Sequence, residues 1–459
     1  MRTGDAMSVT ANPEEGKRAF DLDRKYVFHS WSAQATLNPM VIAGAEGSYI
    51  WDYDGNRLLD FSSQLVYTNL GHQHPKIVAA IQEQAGRLAT VAPQHAVAVR
   101  GEAAKRIIDV SNDNFTQVFF TGGGAEAVEN AIRMARLHTG RRKVLSYYRS
   151  YHGNTSTAIA ATGDSRRWPN EIAPDHVHFF GPFLYRSAFH ATSEAEECQR
   201  ALEYLEQTIV LQGPATIAAI LMETVVGTAG IIPPPPGYLN GVRDLCDKHG
   251  IVMICDEVMA GFGRTGKWFA YQNYDVSPDL VTFAKGVNSG YIPVGGVIIS
   301  EKIVATFQDR VFPGGLTYSG HPVAMASICA AIDAMHEEGT MEHATKIGQD
   351  AIGPALRGLA ERHPIVGDVR GLGVFWGLDL VKNRDTREPA LPYAAPLSFN
   401  GGDNAVAKAF AEAKKRGLLL FPAGNRLHVV PPCNVSASEV EAAMVILDEA
   451  LTVADQYAN

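Results

Sequence analysis

The sequence predicts an α/β fold, with a mostly parallel central sheet in a large domain and a smaller α+β domain beside it. Three observations lead there. Apolar runs alternate with helix-patterned stretches from about 115 to 300. Most of those runs are uniformly apolar, as strands covered on both faces are. Polar residues follow their C-terminal ends, at Thr121, Tyr151, Glu223, Asp256 and Lys285. Open α/β sheets place their chemistry just beyond such ends.

At 459 residues the chain is long enough for one large domain and a smaller one. The pattern divides it into an N-terminal arm with part of the small domain (1–65), a large domain (66–335) and the rest of the small α+β domain (336–459). A net charge of −9 without a long basic run argues against a nucleic-acid partner. No apolar run reaches transmembrane length, and residues 1–18 lack the apolar core of a signal peptide. The cysteines are five, scattered and without a C-x-x-C pair, which points to a reducing, cytoplasmic setting and no structural zinc.

Residues 1 to about 28 read as a loosely held arm. Tyr49-Ile50-Trp51, the turn Asp52–Asn56 and Leu58-Leu59-Asp60 read as a hairpin. His72 and His74 lie in a loop without an acidic or cysteine companion at ligand spacing, so no metal is expected there. Val118-Phe119-Phe120 runs into Thr121-Gly122-Gly123-Gly124-Ala125-Glu126, then into helical spacing at Val128, Ile132 and Ala135. A strand, glycine turn and helix in that order can aim backbone N–H groups at one anion. The third glycine of a dinucleotide fingerprint and the P-loop lysine are both absent, so a plain tight turn is the competing reading.

Lys143–Tyr147 reads as the next strand, and 163–192 as an irregular aromatic loop. A helix follows over about 193–209, then a buried strand ending at Glu223. The runs Ile251–Cys255 and Leu280–Ala284 lead into Asp256 and Lys285, and Val294–Ile299 adds one more strand. Two helices fill 323–362. Then come a strand over Gly373–Leu380, a loop from Lys382 to Asn400 with a glycine turn at Asn400-Gly401-Gly402, and a helix over 403–416. Strand Arg426–Val430 and a last helix after Ser436, with Ser438 as its cap, close the chain.

Lysine is rarely buried without a function, because desolvating an ammonium is costly. An amine at Lys285, a carboxylate at Asp256 and an anion-holding turn at Gly123-Gly124 suit a cofactor bound as a Schiff base. Asp256 would pair with a protonated pyridine nitrogen, Tyr151 would offer a ring face, and His152-Gly153 would let the backbone pass close.

The chain resembles the class III pyridoxal-phosphate (PLP) aminotransferases of the omega-amino-acid and amine–pyruvate type. The likeness runs from Ser30 to the last helix. It rests on Asp256-Glu257-Val258 with Gly261-Phe262-Gly263-Arg264-Thr265-Gly266, on Ala284-Lys285-Gly286 with Gly290 and Pro293, and on Thr317-Tyr318-Ser319-Gly320-His321-Pro322. The resemblance implies fold-type I, a homodimer or tetramer with shared active sites, and ping-pong transfer of an amino group from an amine or omega-amino acid to a keto acid such as pyruvate. It implies Lys285 as the amine that condenses with the PLP aldehyde and then carries the substrate proton, and Asp256 as the partner of the ring nitrogen. Tyr151 and Val258 would cover the ring faces, with Glu223 near the ring. Gly123, Gly124, Ala125 and a Thr317 from the second subunit would hold the phosphate. A decarboxylase, epimerase or aminomutase on the same scaffold, and a non-catalytic interaction protein, are the alternatives.

Two departures from the family pattern stand out. An arginine that amine–pyruvate relatives often carry is replaced by Phe421, and Arg426 is either its substitute for a carboxylate or a plain strand arginine. Trp31, Trp168, Leu316 and Phe421 would wall the substrate pocket, with a core role as the alternative for Trp31. The other departure is Ala125, where many relatives have a hydroxyl. A lost charge-assisted hydrogen bond is worth roughly 1.5–3 kcal/mol. Ala125→Ser is therefore expected to tighten PLP binding at least about tenfold in a titration of the apo chain. Equal affinities would contradict this.

Overall fold

The computed structural model describes residues 11–170, 173–392 and 403–459. The segment expected as an arm is helical over Pro13–Tyr26, with the Asn12 side chain capping Glu15 N–H. Gly16 seats this helix: a Cβ there would lie 2.7 Å from the Cβ of Tyr53. Strands β1 (Ile42–Glu46), β2 (Tyr49–Asp52) and β3 (Arg57–Asp60) pair antiparallel. The expected turn is present, with Asp52 Oδ1 accepting from the N–H groups of Asp54 and Asn56. The two loop histidines are held by single carboxylates, His72 by Asp60 and His74 by Glu338.

Among the described residues, seven strands make the central sheet. They are β4 (Phe115–Thr121), β5 (Lys143–Tyr147), β6 (His176–Phe179), β7 (Ile217–Glu223), β8 (Val252–Asp256), β9 (Leu280–Phe283) and β10 (Gly295–Ser300), in the order β4-β10-β9-β8-β7-β5-β6. From β6 to β9 every pairing is parallel, and β10 runs against both β9 and β4. Every residue of β7 to β10 is buried, as the uniform apolar pattern required. Alternate residues feed two different cores. Ala219, Leu221, Val252 and Ile254 pack with Val128 and Ile132 of the helix Gly124–Thr139. Ile220, Met222, Met253 and Cys255 pack on the other face with Leu205, Val242 and Ile328.

The interval 163–192, expected to be irregular, contains strand β6. Two histidines break its apolar pattern, and at the sheet edge only Phe179 is buried, so nothing in its composition signals a strand.

The C-terminal region contributes β11 (Val366–Leu372), β12 (Phe375–Asn383), β13 (Glu388–Pro389), β14 (Leu418–Leu419), β15 (Phe421–Ala423) and β16 (Arg426–Val429). Strand β14 pairs parallel with β3, which joins the two ends of the chain into one unit. The short β13 interrupts the loop expected from Lys382, and the glycine turn at 400–402 lies outside the described residues. The last helix, Ala437–Ala454, is capped by Ser436 rather than Ser438, because Ser436 and Glu439 form a reciprocal capping box. No helix among the described residues is long and apolar enough to cross a membrane.

One buried cation ties the regions together. Arg264 has no exposed surface; it donates to the Asn69 side chain at 2.9 Å and to the Pro431 carbonyl, and its own carbonyl accepts from Val374 N–H. Replacing it with an apolar residue would strand two buried acceptors, each worth about 1–3 kcal/mol. Arg264→Leu is expected to lower the unfolding free energy by roughly 2–6 kcal/mol, read as a lower urea midpoint. An unchanged midpoint would show that these contacts hold nothing.

Candidate active site

Parallel register brings three strand ends to one edge. Glu223 lies beside Asp256 across β7 and β8, and Asp256 beside Thr282 across β8 and β9. Lys285 follows three residues after Thr282.

Asp256 is 4% exposed. His152 Nδ1 lies 2.7 Å from its Oδ2, and since a carboxylate only accepts, that nitrogen carries the proton. Oδ1 accepts from Thr282 Oγ1 and from Val258 N–H, each at 3.1 Å. Three donors leave room at a carboxylate with about four lone-pair directions. Glu223 is held by two backbone donors, Tyr151 N–H at 2.9 Å and Gly227 N–H at 2.8 Å. Burial, with the nearby Asp256 charge, pushes its carboxyl up to about 7, against the pull of His152 and the two N–H groups.

Lys285 opens a short 3-10 turn and has φ +44°, a conformation sparsely populated outside glycine. Its residue surface is part-accessible, yet the atoms packed about the amine strip its solvation. That loss of solvation outweighs the attraction of Glu223 and Asp256, and the amine falls from the ordinary 10.5 to about 8. Arg166 and Arg264 push it the same way.

The glycine turn follows β4. Gly123 caps the helix Gly124–Thr139 in an extended conformation, and a Cβ there would meet no atom within 4 Å. The first N–H groups of a helix lack internal partners, so those of Gly124 and Ala125 could hold an anion there. Gly124 is needed for a close approach: a Cβ would come within 2.9 Å of Val258 Cγ1. Gly153, at φ +128°, runs so close that a Cβ would lie 2.6 Å from that of Ala125. The backbone after His152 therefore packs against the turn. The side chain of His152 does more than expected, because it orients Asp256.

Tyr151 carries the Arg166 guanidinium on its ring, 3.6 Å from the centroid, and Trp31 stands edge-on at 6.2 Å. Trp31 and Phe421 line one cleft of about 410 Å³, together with Leu65, Tyr67 and Phe410. Trp168 is 53% exposed. Leu316 is half-buried and Thr317 exposed; the hydrogen bonds of their loop go to Phe120 and Arg100. Arg426 is buried on β16 with its Cδ against Gly230. Sequence reading missed Thr282 and Arg166. Thr282 was visible as a lone hydroxyl in an apolar run, and Arg166 as part of a basic doublet in an aromatic loop.

The class-III aminotransferase family matches residues 31–451. The chain belongs to this family. The taurine–pyruvate aminotransferase of Bilophila wadsworthia is 32% identical, the match covering 95% of this chain and 97% of the relative. The putrescine–pyruvate aminotransferase of Pseudomonas aeruginosa is 34% identical, over 90% of each. Among solved structures, a taurine:2-oxoglutarate aminotransferase from Bifidobacterium kashiwanohense, in complex with PLP and glutamate, is 43% identical with a TM-score of 0.92, over 96% of this chain and 98% of that one. An S-selective transaminase from Bacillus megaterium is 32% identical with a TM-score of 0.90, over 96% and 98%. The protein is a PLP-dependent aminotransferase of fold-type I.

The residues fit that cofactor: a buried carboxylate with acceptor capacity to spare, an amine making no hydrogen bond to a described residue, and an open seat at Gly123. A neutral amine is the one that attacks an aldehyde. Covalent attachment of PLP to the apo chain, trapped with borohydride, should therefore rise with pH through a midpoint near 8 instead of 10.5. Glu223→Gln removes a charge that favours the ammonium, so the midpoint should fall further. A midpoint that stays or rises in this variant would contradict the assignment.

Proposed function

We propose that this aminotransferase moves an amino group from an amine or omega-amino acid to a keto acid such as pyruvate, by a ping-pong cycle, as a homodimer. The observation that carries the reading is the pairing of Asp256 and Lys285 at neighbouring strand ends, one buried and hydrogen-bonded, the other with a depressed amine. When bound, PLP supplies an electron sink for the substrate carbon next to nitrogen. Each other part is played by the chain. Asp256 would hold the ring nitrogen protonated, while His152, Thr282 and Val258 N–H hold that carboxylate in place. The Lys285 amine takes the proton from the substrate carbon and returns it on the other side of the exchange.

Tyr151 and Val258 would cover the ring faces, Glu223 fixes the Tyr151 backbone, and the N–H groups of Gly123, Gly124 and Ala125 at the start of the helix would bind the phosphate. The exposed position of Thr317 supports its reaching the phosphate across a dimer interface, as Thr317 of the partner subunit. Trp31 and Phe421 line the cleft that would receive the substrate; Trp168 and Leu316 would extend its wall, and Arg426 lies behind Gly230. The relatives' names pair omega-amino donors with pyruvate or 2-oxoglutarate, which favours that donor class here.

A donor panel of omega-amino acids and alkylamines, with pyruvate and 2-oxoglutarate as acceptors, tests this directly. Stoichiometric keto product and aminated acceptor are expected. Lys285→Ala should abolish turnover, and Asp256→Asn should lower kcat at least about a hundredfold. A wild-type holoenzyme that forms no aminated acceptor from any donor would refute the reading.

A further inference from the structure

A cavity of about 1090 Å³ lies where the two ends of the chain meet, and none of the cofactor-site residues lines it. One wall is the helix Ala405–Lys415. Ala405, Val406, Ala409 and Ala413 of that helix are buried in the core of the small domain. A second side, Ala407, Phe410, Ala411 and Lys414, repeats at helical spacing and lines the cavity. The two alanines leave room beside the Phe410 ring, one helical turn before the Lys414 amine. The other wall is Met40 with Arg57 and Leu58 of β3. Pairing of β14 with β3 fixes the two walls together, since Leu59 N–H donates to the Gly417 carbonyl at 2.8 Å.

Among the described residues, four cations and one carboxylate line this space. Asp52 is that carboxylate, and its oxygens are taken by Asp54 and Asn56 of its own turn. Glu412 and Glu449 hold Arg416, and Glu412 also faces Lys415. Arg57 and Lys414 form no ion pair with a described residue. The Arg57 guanidinium is nonetheless fixed, 3.6 Å from the centroid of the Tyr49 ring. Two uncompensated cations thus stand beside an apolar trough.

We propose that this cavity binds a small organic anion, its acidic head at Arg57 and Lys414 and its apolar body along Ala407, Phe410 and Ala411, and that the bound anion alters the substrate cleft. Charge complementarity selects the head, and the apolar helix side selects the body. The volume is ample for a small molecule. The coupling follows from a shared wall: Phe410 and Pro422 line both this cavity and the cleft that holds Trp31 and Phe421. A ligand that displaces either side chain changes the space left for substrate.

The test is calorimetry on the holoenzyme with octanoate, octyl phosphate, 1-octanol and inorganic phosphate. An octyl anion should bind wild type at least about tenfold more tightly than octanol, which lacks the charge, or inorganic phosphate, which lacks the body. Binding of one head group only would support the site and identify its acid. Combining Arg57→Gln with Lys414→Gln should weaken that binding at least about tenfold, and Ala411→Phe, which fills the trough from an exposed position, should abolish it. No binding of either octyl anion, octanol binding as tightly, or equal affinities in wild type and the double variant would overturn the proposal. In turnover of an omega-amino donor with pyruvate, the tighter octyl anion should change the donor KM at least about twofold in wild type and not in the double variant. An unchanged KM in wild type would refute the coupling. A change that persists in the double variant would place the anion in the substrate cleft and overturn the proposal. If no donor turns over, the functional reading above fails, while the calorimetry still decides this site.

Discussion

A carboxylate removed from water must be held by donors, or its desolvation, several kcal/mol, goes uncompensated. Asp256 meets that requirement with donors from three places: His152 after β5, Thr282 on β9 and Val258 N–H in its own turn. These positions converge only because β7, β8 and β9 lie parallel and in register. A slip of one residue on β9 would turn Thr282 to the opposite face and undo the arrangement. The sheet thus fixes a charged acceptor to which a protonated ring nitrogen can bond, and the rest of the site is arranged around that point.

Lys285 shows the opposite balance. Two carboxylates favour its ammonium, but loss of solvation and two nearby guanidiniums prevail, and the amine titrates near 8. An amine poised there can serve as nucleophile and as proton carrier near neutral pH, where an ordinary lysine would stay charged. Its left-handed backbone conformation is a strain that the packed surroundings impose. Arg264 belongs to those surroundings, since it binds segments from both ends of the chain while its charge acts on Lys285.

Much of this was legible in the residue order. Asp256, Glu223 and Lys285 could be read because each ends a uniformly apolar run, and a parallel sheet collects such ends. The glycine turn could be read because it stands between strand and helix. The part His152 plays could be read only in its backbone, since a side-chain bond to Asp256 spans 104 residues of sequence. Strand β6 was hidden for a different reason: it lies where periodicity is lost, and tertiary contacts alone give it shape; the Arg166-Arg167 doublet in the same loop was visible, but not what it packs on. Leu316 and Thr317 lie on a surface loop, and a single chain's pattern says little about what a second copy would bring.

The protonation state of the ring nitrogen is the most direct measure of what Asp256 does. Nitrogen NMR of holoenzyme loaded with PLP labelled at the pyridine nitrogen reads it without turnover. A nitrogen that stays protonated at pH 8 in wild type, and loses its proton in Asp256→Asn, is the expected result. An unprotonated nitrogen in wild type at that pH, or no difference between the two proteins, would contradict the role assigned to this carboxylate.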